Sequence, residues 1–431
     1  MKNNLLERNI LNDIIKSLEL GKLTFLLGSR QTGKTSLMKL TINHFSNHGY
    51  KCFFLDMEDA RNLPIFESID NLEAFLTSQK TDKQKDNILI GVDEFYVSNS
   101  VIKIFKLLWD HYKNIKVIAS GSSAVEIKAN IEESLAGRLR IIDVYPLSFE
   151  EFLAFKENPY LRNLKEKDFK PNDFIVSNVE KDLQDMMIFG GYPKVSLLSS
   201  PNDRIEEIYD IYSTYIQKDI RALLKDEDIV AFNKMVKMLA AQSGQLLNIS
   251  AICKSLCTGR RTIEKYLFIL EKTFVIYLLS PYSTNVKKTI VKIPKLYFVD
   301  PGMMNMAIEN FTTLESRQNK GSIFETFILA EILKYKKKYH NIYFYRTTSG
   351  TEIDFILHDF KRGLIPIEVK FKEFQTPAIP KSIQEFCKTE KVQTAYILNK
   401  NLYLEKIQNN TTFIFLPFIS LKKIFENSNT L

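Results

Sequence analysis

The chain has 431 residues, of which 45% are hydrophobic and 26% charged, with a formal net charge of +8. This length predicts two or three domains, and the ordinary composition, without a low-complexity tract, argues against extended disorder. The N-terminal helical stripe is broken by charges, so it lacks the apolar run of a signal peptide. The most apolar later segment, residues 266–282, is interrupted by Glu271 and Lys272 and is too short for a membrane span. We therefore expect a soluble, cytoplasmic protein without membrane contact.

The first strong motif is a phosphate-binding loop. An apolar strand at residues 23–27 leads into G-x-x-x-x-G-K-T at residues 28–35 and then into a helical pattern. In this setting backbone amides face a phosphate, Lys34 reaches the β- and γ-phosphates, and Thr35 offers a hydroxyl to Mg²⁺. We therefore expect ATP and Mg²⁺ as ligands. The predicted nucleotide-binding residues are Gly28, Ser29, Arg30, Gln31, Thr32, Gly33, Lys34, Thr35 and Ser36.

An acidic pair follows a later buried strand of the same region. The segment "NILIGVDEF" ends its apolar run at Asp93 and Glu94, and the carboxyl ends of strands in a doubly wound sheet face the ligand crevice. Asp93 is predicted to hold the magnesium ion, usually through water, and Glu94 to orient and polarise the attacking water. This pair favours ATP hydrolysis over binding alone.

Hydroxyl and guanidinium groups come next along the chain. The strand "IKVIASGSSA" brings Ser120, Ser122 and Ser123 to the same edge, where a serine either senses the γ-phosphate or caps the following helix. Arg138 and Arg140 follow. An arginine here either acts as a finger on the nucleotide of a neighbouring subunit or pairs with surface acids. We favour the finger for Arg138, which makes a homo-oligomer one expected assembly.

The middle of the chain reads as helical. Residues 150–225 combine helices and loops, an amphipathic helix starts at Asp228, and a short helix follows with Ser250 as a plausible N-cap. A third helix precedes residues 274–293, which read as a two-stranded wing. This pattern predicts a winged helix that binds DNA, although such folds also bind proteins. The residues suited to phosphate and base contacts are Arg260, Arg261, Thr262 and Lys265.

Near the C-terminus, two apolar strands carry charged side chains at alternate positions. Alternation places Glu352, Asp354 and Ile356 on one face of residues 351–358, and Glu368 and Lys370 on one side of the next strand. If the two strands form a hairpin, the acids and the lysine converge.

The converging side chains are suited to phosphodiester chemistry. Asp354 and Glu368 would hold Mg²⁺, with Lys370 positioning water or stabilising developing charge. Glu325, on a preceding apolar helix, is a natural third carboxylate. The order of helices and strands resembles the core of restriction-type nucleases, whose motif is D followed by E-x-K. The alternative is a structural network of ion pairs in which Lys370 neutralises two acids.

Seven motifs occur in an order that resembles one protein family, the bacterial and archaeal AAA-type ATPases that end in a domain of unknown function with a restriction-endonuclease-like fold. The motifs are the P-loop, "VDEF", "ASGSSA", "SLAGR", "YPLSFEEF", "FGGYPKV" and "YIQKDI". The resemblance covers essentially the whole chain. It implies that Lys34, Thr35, Asp93 and Glu94 serve ATP, and that Ser120 or Ser122 is the sensor. Gly91, inside the third strand, departs from the bulkier residue that is usual there.

These observations predict an α/β protein with four regions. They are an AAA-type P-loop NTPase core at residues 1–150, a helical lid and connector at 151–225, a winged-helix-like domain at 226–300, and a PD-(D/E)xK nuclease-like domain at 301–431. We expect a magnesium-dependent ATPase that couples its nucleotide state to a nuclease-like domain acting on nucleic acid. One alternative is a regulatory or signalling ATPase whose C-terminal domain binds DNA or protein without cleavage, and another is a protein-remodelling ATPase.

Overall fold

A computed structural model describes residues 5–426 of the chain, apart from residues 99, 123–130, 132, 161–172, 222, 284–292 and 348–349. The backbone divides into two compact units. The first unit comprises Met1–Pro146 with Lys272–Phe274, and the second comprises Leu147–Glu271 with Val275–Leu431. Within the described residues, no helix is long and apolar enough to cross a membrane.

The first unit is built on a parallel sheet, which has five strands among the described residues. The strands are β1 (Leu23–Gly28), β2 (Lys51–Asp56), β3 (Ile88–Asp93), β4 (Ile115–Ser122) and β5 (Leu139–Asp143). Their order across the sheet is β2-β3-β4-β1-β5, and every neighbouring pair is parallel. All residues of β1 and β3 are buried, as expected for central strands covered on both faces.

Helices cover both faces of this sheet. They are α1 (Leu11–Glu19), α2 (Lys34–Asn47), α3 (Ile69–Ser78) and α4 (Ser100–His111). Alternate residues of β1 enter different cores, because successive side chains of a strand point to opposite faces. Phe25 packs in the core that contains α3 and α4, whereas Leu26 packs in the core that contains α1 and α2. The unit is therefore a three-layer α/β domain.

Gly91 has a packing role in β3. A Cβ atom at this position would lie 2.9 Å from Ile42 Cδ1 and 3.0 Å from Met38 Sδ, closer than side-chain atoms normally approach. The absence of a side chain thus allows α2, the helix that follows the P-loop, to pack tightly against β3. This close packing gives a physical reason for the departure noted at Gly91.

The second unit begins with a helical region. Its helices are α5 (Phe149–Phe155), α6 (Asp173–Phe189), α7 (Pro193–Leu197) and α8 (Pro201–Thr214), and a π-helical segment at Tyr215–Ile220 follows α8. The "FGGYPKV" turn lies between α6 and α7. A Cβ atom on Gly191 would lie 2.7 Å from Leu147 O, so the turn requires glycine there. These elements agree with the helices and loops predicted for this part of the chain.

Three helices and a small sheet come next. They are α9 (Asp226–Ala241), β6 (Gln245–Leu246), α10 (Ile249–Leu256), α11 (Arg260–Lys272), β7 (Ile276–Leu279) and β8 (Lys295–Phe298). The sheet order is β6-β8-β7. The N-cap of α10 is Asn248, whose side chain accepts from Ala251 N–H at 3.0 Å, so the choice of Ser250 was wrong. The middle of the predicted wing lies outside the described residues, and the winged-helix assignment stays a prediction.

The last region holds a mixed sheet, six-stranded within the described part of the chain, with order β13-β14-β12-β11-β10-β9. Its strands are β9 (His340–Arg346), β10 (Glu352–Asp359), β11 (Gly363–Val369), β12 (Thr394–Asn399), β13 (Leu404–Gln408) and β14 (Thr411–Pro417). The accompanying helices are α12 (Pro301–Ala307), α13 (Lys320–Tyr335), α14 (Lys381–Glu390) and α15 (Lys423–Glu426). The strands β10 and β11 pair antiparallel, while β11 pairs parallel to β12. The predicted hairpin is present, whereas β13 and β14 were not predicted.

A β-bulge interrupts β10 at the predicted site. The pairing with β9 shifts register between Ile353 and Ile356, and both isoleucines belong to one hydrophobic cluster. Strict alternation, which placed Ile356 on the face of Asp354, was therefore wrong. Because the bulge adds one residue to β10, the positions before and after it do not follow a single period of two. Bulges often re-aim a side chain beside an active site, and Asp354 lies within this one.

Candidate functional sites

The P-loop joins β1 to α2 and adopts the conformation that its glycines permit. Gly33 has a φ angle of 92°, in the left-handed region where glycine is favoured. Gln31 also has a positive φ, 61°, which is uncommon for a residue with a side chain. A Cβ atom on Gly28 would lie 2.1 Å from Val144 O, so only glycine fits where β1 ends. α2 begins at Lys34, which places the N-terminus of a 14-residue helix directly after the loop.

The predicted ATP-site residues converge at the carboxyl edge of the sheet. Lys34 Nζ donates to Gly28 O at 3.0 Å and to Ser29 O at 2.8 Å, so the ammonium group lies across the loop. Thr35 Oγ1 donates to Asp93 Oδ2 at 2.7 Å, and Ser120 Oγ donates to Asp93 Oδ1. Oxygen ligands of this kind suit Mg²⁺. The fold therefore assembles one site from β1, β3 and β4.

Glu94 lies at the turn that ends β3. Its backbone has φ 49°, a left-handed conformation that is uncommon for a residue with a side chain. Its N–H donates to Asp93 Oδ1 at 3.2 Å. Strained residues of this type concentrate at functional sites, and the turn places Glu94 beside Asp93 at the sheet edge. Among the remaining predicted serines, Ser123 lies outside the described residues, as does the side chain of Ser122.

Arg138 lies at the opposite end of β1 from the P-loop. Leu23 N–H, at the start of β1, donates to Arg138 O at 3.0 Å. The Arg138 side chain donates to Asp110 Oδ1 at 3.1 Å and covers the Trp109 ring at 5.2 Å. The described structure therefore does not bring Arg138 to the nucleotide site of its own chain. A role for Arg138 at the nucleotide of a neighbouring subunit stays a prediction.

Arg8 supports the P-loop and was missed in the sequence. Its guanidinium is buried and donates to Thr32 O at 2.8 Å, Tyr145 O at 3.0 Å and Pro146 O at 3.3 Å. These three bonds link the loop to the segment after β5. No sequence motif marks Arg8, because its partners are backbone carbonyls more than twenty positions away. The amphipathic pattern of the adjacent helix α1 was the only sequence feature that pointed to structure near Arg8.

Arg8→Ala is expected to weaken ATP binding several-fold. Loss of the three bonds leaves backbone carbonyls without this donor, which costs about 1–3 kcal/mol for each buried group left unpaired, and Thr32 loses a contact that fixes the loop. Titration with a fluorescent ATP analogue measures the dissociation constant. Arg61→Ala, at an exposed position of the same unit, is the control. Wild-type affinity in a folded Arg8→Ala protein would show that the loop does not depend on Arg8.

In the second unit, the hairpin of β10 and β11 brings the predicted acids and lysine together. Val369 N–H donates to Asp354 Oδ2 at 2.7 Å, so the Asp354 side chain occupies a bonding position of β11. Lys370 Nζ pairs with Glu368 Oε1 at 2.6 Å. The Glu368 side chain is only 7% exposed, and its Oε2 atom is buried without a hydrogen-bond partner. A buried carboxylate oxygen with no partner fits a site that takes a cation.

Glu325 reaches the same region from α13, as predicted, but it is engaged by residues of β8. Its Oε1 atom accepts from Lys295 Nζ at 3.2 Å and from the Tyr297 hydroxyl. Lys295 also pairs with Glu352. Sequence reasoning missed Lys295 as a member of this site, because β8 lies in a different predicted domain and contains no acidic motif.

The pKa values in this region reflect crowding of negative charge. Burial raises the pKa of the Asp354 carboxyl well above its ordinary value, and the charges of Glu325 and Glu368 raise it further. Burial also raises the pKa of Glu368, against the opposing effect of the Lys370 ammonium. Perturbed carboxyl groups of this kind are common at functional sites. Even so, no three His, Cys, Asp or Glu side chains in the described residues lie close enough together to form a metal-binding group.

The α11 helix presents basic residues to solvent. Arg261 and Lys265 are exposed, one turn apart, while Arg260 pairs with Glu264 at 2.8 Å. The opposite face of α11 is buried through Ile263, Tyr266, Leu267 and Leu270. Arg261 and Lys265 are thus the better-placed candidates for phosphate contacts.

Comparisons with curated proteins return relatives of similar length. An uncharacterized protein of Methanocaldococcus jannaschii is 26% identical over 401 residues, covering 90% of this chain and 84% of the relative. An uncharacterized protein of Haemophilus influenzae is 26% identical over 338 residues, covering 76% of this chain and 78% of the relative. Each of these alignments thus spans more than three quarters of both chains.

Solved structures give weaker likenesses. The replication initiator DnaA bound to AMPPCP and single-stranded DNA is 15% identical, with a TM-score of 0.28, and covers 63% of this chain and 91% of that chain. Caenorhabditis elegans PCH-2 is 14% identical, with a TM-score of 0.26, and covers 52% of this chain and 65% of that chain. At these TM-scores the likenesses carry no argument about function.

Family models match three successive parts of the chain. Residues 21–153 match the AAA domain, residues 180–314 match a domain of unknown function (DUF8612), and residues 320–419 match a domain of unknown function (DUF4143). The first match contains the P-loop and the Asp93 site, whereas the last contains Glu325 and the β10–β11 hairpin. The chain therefore contains a region that matches the AAA domain, followed by regions that match two domain families of unknown function.

Proposed function

We propose that this protein is a magnesium-dependent ATPase whose nucleotide state is coupled to a nuclease-like C-terminal domain acting on nucleic acid. The observation that carries the first half is the joint contact of Asp93 with Thr35 and Ser120 beside the P-loop. The observation that carries the second half is the convergence of Asp354, Glu368 and Lys370.

At the ATP site, each side chain has a distinct task. Magnesium would be held by Thr35 and Asp93, and it supplies charge neutralisation for the phosphates when bound. Lys34 binds the phosphates from the loop. Ser120, through its bond to Asp93, positions that carboxylate between two hydroxyl groups. Glu94 accepts a proton from the attacking water and orients it toward the terminal phosphate.

At the C-terminal site, the donor set also fits a hard cation. Asp354 and Glu368 are oxygen ligands, and Glu368 Oε2 is buried without a partner. A divalent ion there supplies Lewis-acid activation of a phosphodiester. Val369 N–H fixes the orientation of Asp354. Lys370, paired with Glu368, stabilises negative charge on a phosphate or holds a water molecule beside it.

A second candidate function is nucleic-acid or protein binding without cleavage. The specific observation in its favour is that Glu325 and Glu352 are engaged by Lys295, which makes part of the site a network of ion pairs. Under this alternative, ATP hydrolysis regulates binding by the C-terminal domain.

One pair of assays separates these candidates. Purified protein is incubated with single- and double-stranded DNA and with RNA, in Mg²⁺ or Mn²⁺ and with or without ATP. The release of shorter fragments then measures nucleic-acid cleavage, and the release of inorganic phosphate measures ATP hydrolysis. Metal-dependent cleavage supports the nuclease-like function. Phosphate release with binding but no cleavage of any substrate supports the alternative, and an absence of phosphate release in all conditions contradicts the ATPase.

The basic face of α11 is proposed to contact DNA phosphates. Replacing both Arg261 and Lys265 by alanine is expected to weaken DNA binding and to reduce the slope of log affinity against log salt by about 2, because two phosphate contacts are lost. Fluorescence anisotropy with a labelled duplex between low and moderate salt measures both quantities.

The matched control is Arg61→Ala with Lys85→Ala in the first unit, which removes the same two charges from exposed positions. This control is expected to change neither affinity nor salt slope appreciably. Equal weakening by both double variants would attribute DNA binding to net charge alone, and would exclude a specific role for α11.

A further inference from the structure

Lys295 is a buried cation to which the proposed metal chemistry assigns no task. It opens β8, where it pairs with Leu279 of β7 and Leu246 of β6. Its side chain is 4% exposed. Removing an ammonium group from water costs several kcal/mol unless carboxylates compensate the charge. Lys295 must therefore be stabilised by the acids around it.

Two carboxylates converge on the Lys295 ammonium. Its Nζ atom lies 3.2 Å from Glu325 Oε1 and is also ion-paired with Glu352 Oε1. The outer oxygen of Glu352 pairs with Arg346 at 3.1 Å, and Glu325 Oε1 also accepts from the Tyr297 hydroxyl. Both acids are thus fixed by donors from their own unit. In contrast, the Oε2 atom of Glu368 is buried and has no hydrogen-bond partner.

The carboxylate cluster, defined as Glu325, Glu352, Asp354 and Glu368, has an imbalance of charge. Among the described residues that pair with it, the cations are Lys295, Arg346 and Lys370. With all groups ionised, the cluster is one positive charge short. The shortfall falls on Asp354 and Glu368, because Lys295 already serves the other two acids.

We propose that Lys295 is a built-in cation that limits this site to one divalent metal ion. The proposal rests on the metal-binding role of Asp354 and Glu368 in the proposed function. Two-metal phosphodiester sites hold their ions about 3.5–4 Å apart and need carboxylates for both. Lys295 forms ion pairs with Glu325 and Glu352, and its charge repels a second cation. Asp354 and Glu368 are therefore left as the pair of carboxylates that binds an ion. Lys295 therefore acts as a residue that sets the number of bound ions.

The experiment is equilibrium dialysis of nucleotide-free full-length protein against Mn²⁺. All proteins carry Asp93→Asn, which removes a predicted metal ligand of the P-loop site. The parent is expected to bind one Mn²⁺ per chain. Lys295→Met is expected to bind two, because two carboxylates lose their cation. Lys295→Met combined with Glu352→Gln is expected to bind one again, because the second ion loses a ligand.

The control is Lys388→Met, at an exposed position of α14, which is expected to keep one Mn²⁺. Binding of one Mn²⁺ by Lys295→Met with the parent dissociation constant would overturn the proposal while leaving the proposed function intact. Binding of none by the parent would instead remove the metal role of Asp354 and Glu368, and with it this inference and the nuclease-like half of the proposed function.

Loss of Lys295 leaves acids buried without a cation, so folding must be followed as well. Thermal unfolding of Lys295→Met is measured by circular dichroism with and without Mn²⁺. Folding that is restored by Mn²⁺ supports the proposal, because a metal ion then replaces the ammonium charge. A protein that stays unfolded at every Mn²⁺ concentration overturns it, because Lys295 would then serve packing rather than charge.

Discussion

Lys34→Ala is expected to lower ATP turnover by about 10²-fold or more, the scale seen when a preorganised electrostatic group is removed. The Lys34 ammonium lies across the P-loop, 3.0 Å from Gly28 O and 2.8 Å from Ser29 O. Alanine removes the side chain that reaches the phosphates, so both nucleotide affinity and turnover should fall. Release of inorganic phosphate from Mg-ATP measures turnover, and titration with a fluorescent analogue measures affinity.

Two further variants make this result specific. Lys39→Ala removes an exposed lysine from the same helix and should leave turnover unchanged. Glu94→Gln should keep nucleotide affinity but lose turnover, because it removes the proton acceptor and leaves the phosphate contacts in place. Wild-type turnover in Lys34→Ala would contradict the ATPase assignment.

Asp354→Asn is expected to abolish nucleic-acid cleavage and at the same time to stabilise the folded protein at neutral pH by roughly 1–3 kcal/mol, the usual scale for an uncompensated buried polar group. Burial and the charges of Glu325 and Glu368 raise the pKa of Asp354, so the folded state disfavours its charged form. Asparagine removes the charge but still accepts the bond from Val369 N–H. Denaturant unfolding in EDTA measures the stability.

The pH dependence follows from the direction of the shift. The pKa of Asp354 is higher in the folded than in the unfolded state, so as the pH rises the unfolded state releases this proton first. The free energy of unfolding of the wild type therefore falls as the pH rises from the ordinary pKa of an aspartate through the raised pKa of Asp354. Asp354→Asn should lack this decrease.

Asp359, on the same strand, is the matched contrast. Burial would raise its pKa, but the amides of Lys361 and Arg362 and the Arg362 guanidinium lower it below the ordinary value. Its contribution to stability is thus present above the ordinary pKa and is lost as the pH falls through the lowered one. Asp359→Asn should destabilise the protein at neutral pH. Equal destabilisation by both substitutions would argue that Asp354 is a structural ion-pair member.

Cleavage assays complete this prediction. Asp354→Asn and Lys370→Ala should both lose cleavage, because one removes a metal ligand and the other removes the positive charge beside Glu368. Cleavage that persists at the wild-type rate in either variant would identify a contaminating nuclease. A stable Asp354→Asn protein that has lost cleavage would show that stability is sacrificed at this position for chemistry.

Much of the AAA region was predictable from local patterns. The fixed spacing of its motif locates the P-loop between an apolar strand and a helix. A continuous apolar run locates the strand that ends at Asp93. The order of strands across the sheet was not predictable from these patterns. β4 lies between β1 and β3, and this neighbour relation is what brings Ser120 to Asp93.

In the second unit, alternation predicted the strands β10 and β11, and the convergence of Asp354, Glu368 and Lys370 was expected on the condition that the two strands form a hairpin. The antiparallel pairing of β10 with β11 meets that condition. The alternation failed at the bulge, since one extra residue changes which side chains share a face. The N-cap of α10 was also misplaced by two residues, because Asn248 and Ser250 are both suitable caps and only the backbone distinguishes them.

The sequence by itself determined the nucleotide-binding loop, the acidic pair and the D and E-x-K pattern, because each depends on residues close together along the chain. Only the tertiary structure decided that Arg8 supports the P-loop, that Arg138 lies at the far end of β1, and that Lys295 enters the carboxylate cluster. The partners of Arg8 lie between 24 and 138 positions away along the chain. Asp110 lies 28 positions from Arg138, and Glu325 lies 30 positions from Lys295. Contacts over such separations are created by packing and carry no local pattern.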